Sequence, residues 1–285
     1  MTTNAVYINY NGTFHKAENP VLSHKNRAFC FGDAVFETMF AYQEKVYFFS
    51  DHFERLQKSM KLLKMSIPDN FSEVFFHEEI LKLMRKNRFY KGVRVRLTIF
   101  RNDGGYYTPL SNEISYIIEA SPLETIKYKT QTKGLHICLY NESFKPENNF
   151  NSIKTANSLF YVMAGIFKKE KGFDDCILIN KQGHIVEALS SNLFYCRGKN
   201  IFTPPLSDGC VEGIMRKQII RIAHNNEFQV NDTNSFTPDV LKEADEIFLS
   251  NAVQGIQWVL GYEDKRYFHD VSAFLFEKLK AEFNS

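Results

Sequence analysis

The chain is short of cysteine, and it lacks the long apolar runs and signal sequences of membrane or exported proteins. Its five cysteines among 285 residues form no C-x-x-C pair, and three of them lie in strand-like runs. Such spacing favours buried free thiols in a reducing compartment over disulfides. The N-terminus has no apolar signal-peptide core, and no apolar run is long enough to span a bilayer. We therefore expect a cytoplasmic protein that does not bind membranes.

Sequence patterns for several other chemistries are also missing. The eight histidines are dispersed without the spacing of metal ligands, so we expect no metal site. Neither a G-x-G-x-x-G loop nor a P-loop lysine motif is present to hold a nucleotide. A net charge of +2 without a basic block gives no footprint for nucleic acid. These absences disfavour metal, nucleotide and nucleic-acid functions.

What is present is enough apolar sequence for a folded protein of two domains. The composition is 44% hydrophobic and 15% aromatic, which is typical of a globular chain. A polar segment over residues 122–134 contains a proline and lacks periodicity, which marks it as the linker candidate. We therefore predict an N-terminal α/β domain over residues 1–121, this linker, and a C-terminal domain over residues 135–285.

The N-terminal domain is predicted to alternate strands with helices. An Asn11-Gly12 turn between apolar–polar alternations predicts a hairpin, and two β-rich runs follow on either side of Phe31-Gly32-Asp33. Asp51 and Glu54 have capping-box spacing at the start of a predicted helix. A second helix is predicted over residues 72–87, from apolar residues that recur with helical spacing.

A strand over residues 93–101 carries arginines on its polar side. Its apolar residues alternate with Arg94 and Arg96, and Arg101 stands at its end beside a glycine-containing turn. The simpler interpretation is an exposed sheet face with a flexible turn. The alternative is a group of cations placed to bind the carboxylate of a substrate.

Three chemically different groups recur between residues 153 and 216. Lys154 lies in a polar loop before an amphipathic helix, Glu187 ends an apolar strand, and Gly213 opens another helix. An amine can form an imine, a carboxylate can hold a pyridinium, and a helix N-terminus can hold a phosphate. Together these groups suit pyridoxal phosphate (PLP).

Several phrases along most of the chain resemble one family. They are FGDAVFET, HFERL, KTAN, VEALSSN, GIMR and EIFLSNA. They resemble the fold-type IV PLP enzymes, which include branched-chain aminotransferases, D-amino-acid aminotransferases and 4-amino-4-deoxychorismate lyases. The resemblance implies a two-domain α+β fold of the D-amino-acid aminotransferase type, with PLP at the domain interface. It also implies a homodimer that acts on a small-molecule amine.

The resemblance assigns roles to residues by their place in the motifs. Lys154 would be the catalytic Schiff-base lysine, and Glu187 would hold the pyridine nitrogen. Arg55 would bind the phosphate, although its helical spacing alone suggests a surface residue. The other phosphate-side residues would be Gly213, Ile214, Met215, Ser250, Asn251 and Ala252. The substrate would meet Phe36, Arg96 and Arg101.

Three features favour the lyase within this family. Met215 stands where the aminotransferases usually have threonine, and the Ser250-Asn251-Ala252 loop lacks their threonine-rich sequence. Lys154 is followed by an asparagine in the K-x-x-N pattern of the lyases. We therefore predict the conversion of 4-amino-4-deoxychorismate to 4-aminobenzoate and pyruvate.

The family leaves two other functions open. The turn after Arg101 lacks the Arg-x-His pair of D-amino-acid aminotransferases, and Leu159 replaces the tyrosine that branched-chain aminotransferases have there. An amino-acid aminotransferase of either type nevertheless remains the main alternative. A non-catalytic PLP-binding protein is disfavoured, because both Lys154 and Glu187 are intact.

Overall fold

The computed structural model describes residues 5–124, 128 and 131–284, which divide into two compact units. Unit 1 consists of Met1–Lys127 with Ile153–Asn157, and unit 2 consists of Tyr128–Ser152 with Ser158–Ser285. The segment Ile153–Asn157, which carries Lys154, differs from the predicted C-terminal assignment because its backbone pairs with residues 34–36 of unit 1. Part of the predicted linker lies outside the described residues.

Unit 1 is an antiparallel sheet with helices. Its elements are β1 (Tyr7–Tyr10), β2 (Thr13–Lys16), α1 (Arg27–Phe31), β3 (Ala34–Tyr42), β4 (Lys45–Val46), α2 (Phe49–Leu62), α3 (Glu73–Asn87), β5 (Val93–Arg101) and β6 (Ile114–Pro122). The strand order is β2-β1-β6-β5-β3-β4. The predicted hairpin is confirmed, with Asn11 at φ 48° and Gly12 at φ 84° in its turn.

The core of unit 1 follows the period of each element. In β5 the apolar residues are buried and alternate with half-buried Arg94, Arg96 and Thr98, as a one-sided strand requires. Leu56 and Met60 lie one turn apart on α2 and pack into the same cluster. This packing fixes the other face of the sheet, which carries Arg96.

Two local predictions in unit 1 are wrong. The run before Gly32 is α1 and not a strand, because the Asn26 side chain accepts hydrogen bonds from the first turn's amides. Gly32 then ends α1 with a φ of 66°, a left-handed conformation that favours glycine. The next helix, α2, is preceded by Phe48 in a left-handed conformation, so Asp51 and Glu54 do not form its cap.

Unit 2 is a larger mixed sheet with three α-helices. Its elements are β7 (Leu135–Leu139), α4 (Leu159–Glu170), β8 (Asp175–Ile179), β9 (Ile185–Ala188), β10 (Asn192–Arg197), β11 (Asn200–Phe202), α5 (Ile214–His224), β12 (Gln229–Asn231), β13 (Glu246–Asn251), β14 (Gly255–Tyr262), β15 (Lys265–Arg266) and α6 (Asp270–Asn284). The strand order is β12-β11-β10-β13-β14-β7-β8-β9, and β15 pairs with β14. The sequence did not predict β12 or β14, and β14 joins the two halves of this sheet.

The first helix of unit 2 leaves most of its large apolar side chains in solvent. In α4, Ala164 and Phe167 are buried against β8. The exposed ones share one face, and they are Leu159 (74%), Val162 (53%), Met163 (43%) and Ile166 (45%). Such a stripe is the kind of surface that a partner covers.

Two further predictions concern the cysteines and membrane-spanning segments. All five cysteines are free thiols; of the three in strand-like runs, Cys176 and Cys196 are buried as expected and Cys138 is half-buried, while Cys210 is buried and Cys30 is exposed. Among the described residues, none of the helices combines the length and the apolar character needed to cross a membrane.

Candidate active site

Lys154 is held by the backbone of β3. Its carbonyl accepts a hydrogen bond from the amide of Phe36 at 2.9 Å, and the amide of Ala156 donates to Ala34 at 2.9 Å. These bonds make the segment a short extra strand beside β3, with Thr155 opposite Val35. The half-buried lysine is therefore on a rigid element, as a catalytic amine requires.

Two cations of unit 1 lie close to the ring of Phe36. The Lys154 Nζ is 5.0 Å from the ring centroid, and the Arg96 Cζ is 3.8 Å from it. Burial lowers the pKa of Arg96, and its Nε donates to Thr98 at 3.2 Å. Phe36 and Arg96, both predicted as substrate residues, therefore lie beside the predicted catalytic lysine.

Arg55 belongs to a buried cluster with Glu37 and His52. Its Nε and Nη2 donate to the two oxygens of Glu37 at 2.8 and 2.6 Å, and His52 Nδ1 is 2.6 Å from the same carboxylate. Burial raises the pKa of Glu37, but the charge of Arg55 and the bond to His52 outweigh burial and bring it to about 2. Burial lowers the pKa of His52. The cluster therefore holds an ionised glutamate, and Arg55 is a buried residue rather than a snorkelling one.

Arg101 is fixed by contacts within unit 1. Its guanidinium donates to Asp33 at 3.0 Å, to the carbonyl of Leu63 at 2.8 Å and to the side chain of Asn112. Asp33 also accepts from Arg27 at 2.8 Å. The side chain is 6% exposed, so its geometry is that of a structural anchor for the loops around β5. The predicted contact between Arg101 and a substrate stays a prediction, but these hydrogen bonds already use the guanidinium that would bind the substrate carboxylate.

Glu187 lies in β9 of unit 2 and is 4% exposed. Its Oε1 accepts from the Lys145 ammonium and from the Tyr161 hydroxyl at 2.7 Å, and its Oε2 accepts from the Val211 amide at 2.9 Å. Burial, and then the charge of Glu187, raise the pKa of Tyr161, so the phenol stays a neutral donor. The carboxylate is thus held by three donors from three different segments.

The N-terminus of α5 follows Val211, whose amide donates to Glu187. The Asn192 side chain donates to the carbonyl of Val211 at 2.9 Å, two residues before Gly213. A Cβ at Gly213 would collide with the Asn192 Oδ1, so only glycine fits there. Within the part of the chain that the structure describes, no side chain caps the amides at the start of α5. These amides and the helix dipole can therefore bind an anion.

The Ser250-Asn251 end of β13 completes this region. Asn192 pairs with Ser250 across β10 and β13, and Asn251 donates to the Ser191 hydroxyl at 3.0 Å. The Ser250 Oγ is buried, and no hydrogen-bond partner for it exists among the described residues. A buried hydroxyl without a hydrogen-bond partner destabilises the fold, and a bound anion would supply the missing acceptor. The region therefore fits the phosphate of PLP, and it lies in the same unit as the carboxylate for the pyridine nitrogen.

The sequence did not predict four residues of these clusters. Lys145 and Tyr161 contact Glu187, while Glu37 and His52 contact Arg55. Tyr161 could have been found from helical spacing, since it lies one turn before the buried Ala164 on α4. Lys145 lies in an irregular polar loop, where no periodic pattern predicts burial.

These groups are the ones that a PLP enzyme needs, with the predicted catalytic lysine in unit 1 and the candidate pyridine and phosphate ligands in unit 2. The model of the amino-transferase class IV family matches residues 34–261. The chain belongs to that family, and PLP is its cofactor, as predicted.

Similar proteins carry two different names. The aminodeoxychorismate lyase of Bacillus subtilis is 27% identical, over 87% of this chain and 83% of its own length. The putative branched-chain aminotransferase of Methanocaldococcus jannaschii is 25% identical, over 97% and 94%. A solved T.th. branched-chain aminotransferase, complexed with N-(5'-phosphopyridoxyl)-L-glutamate, has a TM-score of 0.86 at 25% identity, covering 97% of this chain and 94% of that one. These matches confirm the predicted fold and leave lyase and aminotransferase chemistry both open.

Proposed function

We propose that this protein is a PLP-dependent aminodeoxychorismate lyase that converts 4-amino-4-deoxychorismate to 4-aminobenzoate and pyruvate. The observation that carries the proposal is the similarity to the Bacillus subtilis lyase over most of both chains. Met215 at the start of α5 adds a resemblance to the lyases, although the backbone amides that would bind the phosphate do not depend on its side chain. Aminotransferases of the family usually have a threonine at this position.

The roles of the residues follow from their contacts. Bound PLP supplies an electron sink for the carbon that bears the substrate amine. The Lys154 amine would remove the proton from that carbon, and its backbone is fixed beside β3. Glu187 would hold the ring nitrogen, while the Ser250 hydroxyl and the amides of Ile214 and Met215 would hold the phosphate.

Arg96 is the cation that we assign to a substrate carboxylate. It lies on the Phe36 ring that also faces Lys154, and its planar guanidinium can bind a carboxylate through two parallel hydrogen bonds. Burial lowers the pKa of Arg96, which means that water stabilises its charge poorly and that an anion would do so better. Arg101, which already has several acceptors, is the weaker candidate.

The reaction is tested by supplying 4-amino-4-deoxychorismate and following pyruvate, 4-aminobenzoate and keto acids separately. Lys154→Ala should abolish both lyase products. Arg96→Ala should lower kcat/KM by about tenfold or more, because it removes a charge-assisted hydrogen bond worth about 1.5–3 kcal/mol. Arg94→Ala, on the same face of β5, is the matched control and should change little. Equal losses in both arginine variants would contradict the assignment of Arg96.

Aminotransfer is the second candidate, because relatives named as branched-chain aminotransferases match the chain as fully as the lyases do. An aminotransferase releases a keto acid from an amino acid alone, with one turnover per cofactor when no acceptor is present. Observing that release, without 4-aminobenzoate from the chorismate substrate, would replace the lyase proposal.

We also propose that the protein acts as a homodimer in the cytoplasm. The exposed apolar face of α4 supports a partner of the same kind, because a solvated stripe of that size is unfavourable in a monomer. Light scattering should give the mass of two chains for the wild type. Val162→Asp should shift the mass toward one chain, while Val74→Asp, at a still more exposed valine of α3, should not. Unchanged dimers in the Val162 variant would exclude this face as the interface.

A further inference from the structure

Lys145 is a buried lysine outside the residues that the family motifs identify. It is 4% exposed, and its ammonium contacts Glu187 Oε1. Its backbone amide donates to the carbonyl of Ile179 at 2.9 Å, which fixes the loop against the end of β8. Burying an ammonium costs several kcal/mol unless a charge partner compensates it. Lys145 is therefore placed specifically for the carboxylate of Glu187.

The hydrogen-bond capacity of Glu187 limits what else it can hold. A carboxylate has about four acceptor positions. Lys145 and Tyr161 occupy positions on Oε1, and the Val211 amide occupies one on Oε2. One position is left on Oε2, the oxygen that faces away from the ammonium contact. That position is sufficient for one further N–H donor.

Two titratable neighbours of Glu187 are neutral and two cations lie in the same region. Burial, followed by the charge of Glu187, raises the pKa of Tyr161, which stays neutral. Burial, followed by the charge of Glu187, raises the pKa of the Cys210 thiol to about 12, so it too stays neutral. The buried Arg216 and Lys145 both act on Cys210 in the opposite direction. Of these two cations, Lys145 is the one that contacts the Glu187 carboxylate directly.

We propose that Lys145 is a positioning residue that pairs with the Glu187 carboxylate and orients it for the ring nitrogen of the cofactor. It acts through Glu187 and does not touch the reacting atoms. Tyr161 supports it by fixing the same oxygen with a neutral hydrogen bond. The proposal rests on the PLP site of the proposed function and is independent of whether the enzyme is a lyase or an aminotransferase.

The chemistry predicts a pH-dependent defect when the charge of Lys145 is removed. Without the ammonium, a buried Glu187 takes up a proton more readily, because burial disfavours the charged form. A protonated Glu187 cannot pair with a protonated ring nitrogen. PLP affinity should therefore fall most at acidic pH and recover as the pH rises.

The experiment is a PLP titration of the apo-protein across about pH 6 to 9. Lys145→Gln keeps a hydrogen-bond donor but removes the charge, and it should weaken PLP binding at least about tenfold near pH 6. The defect should shrink toward pH 9. Lys145→Arg should restore the wild-type pH profile. Lys181→Gln, an exposed lysine at the turn before β9, is the control and should behave as wild type.

An infrared spectrum of the apo-protein gives a second measurement that does not require PLP. Lys145→Gln should show a protonated carboxyl band that the wild type lacks, and the band should vanish in the Lys145→Gln/Glu187→Gln double variant. A defect of equal size at every pH, or no such band, would overturn the proposal. If Lys145→Gln does not fold, Lys145→Arg tests the proposal instead. This variant keeps the positive charge, so it should keep the wild-type pH profile of PLP binding, and an altered profile would contradict the proposal. If the wild type itself binds no PLP, the cofactor site fails rather than the role of Lys145.

Discussion

Glu37→Gln removes the carboxylate of a buried ion pair and measures what that pair contributes to stability. Unit 1 also contains an exposed glutamate–arginine pair of the same geometry, which serves as the control. Glu37 and Arg55 are joined Oε1 to Nε at 2.8 Å and Oε2 to Nη2 at 2.6 Å. Glu44 and Arg85 are joined through the same atoms at 2.9 and 2.7 Å. Glu37 is 2% exposed, whereas the side chains of the second pair are 40% and 53% exposed. The two variants therefore differ in burial and hardly in geometry.

The expected magnitude follows from the pKa of Glu37. Burial raises this pKa, but Arg55 and His52 together lower it from 4.5 to about 2. A pKa difference of about 2.5 corresponds to about 3 kcal/mol of stability, since a difference of one corresponds to about 1.4 kcal/mol. Because the folded-state pKa is lowered, this stability is present above about pH 4.5 and is lost as the pH falls toward 2.

The assay is urea unfolding of both glutamine variants at neutral and acidic pH. At neutral pH, Glu37→Gln should lower the free energy of unfolding by about 3 kcal/mol or more, because Arg55 keeps its charge without a carboxylate. The difference from wild type should shrink below about pH 4.5, where the wild type protonates Glu37 in turn. Glu44→Gln should leave the free energy and its pH dependence nearly unchanged. Equal effects of the two variants, or a Glu37 effect that does not depend on pH, would refute the reasoning.

Three further variants separate folding roles from cofactor roles. Arg101→Ala should destabilise the protein by about 3 kcal/mol or more in thermal or urea unfolding, because it leaves Asp33 without one of its two arginines; a stable variant with impaired substrate binding would instead support the predicted substrate role. Gly213→Ala should weaken PLP binding more than tenfold in a titration, because its Cβ would collide with Asn192, although a φ of −67° suits any residue; unchanged affinity would show that α5 can move aside. Arg55→Ala should lose PLP affinity by about tenfold or more and also lose stability, and a loss of stability alone would remove Arg55 from the phosphate site.

The sequence predicted the elements whose periodicity is strong and whose neighbours are local. The period-2 alternation of β5 and the helical spacing of α3 were enough to predict both, and α3 begins one residue after the predicted start, with Ser72 as its cap. The roles predicted for Lys154 and Glu187 rest on neighbours along the chain that are distinctive. Each of these signals lies within a few residues of the feature that it predicts.

Contacts between distant segments could not be predicted in the same way. Arg55 is one residue from the apolar stripe of α2, and only the strand β3 places Glu37 beside it and so makes its burial favourable. Lys145 is 42 residues from Glu187, in a loop without a pattern. Arg101 looked like a free cation at a strand end because its acceptors come from three other segments. In each case, whether the charged side chain is buried depends on its acidic or carbonyl partner, and tertiary structure determines which partner lies beside it.

The choice between the two reactions depends on the substrate side of the site rather than on the cofactor side. Met215 is 1% exposed, and an anion at the start of α5 would bind the backbone amides, which a change of side chain does not remove. Both reactions also need a base such as Lys154 to take the same proton. A lyase must in addition bind a carboxylate far from the substrate amine, and enzymes discriminate best where a polar group would otherwise be left unpaired. We assign this carboxylate to Arg96, a half-buried residue beside Lys154 whose Nε donates to Thr98 at 3.2 Å and lies 4.0 Å from Glu119. Exchanging residues around Arg96, and not Met215, is therefore the change that we expect to convert one activity into the other.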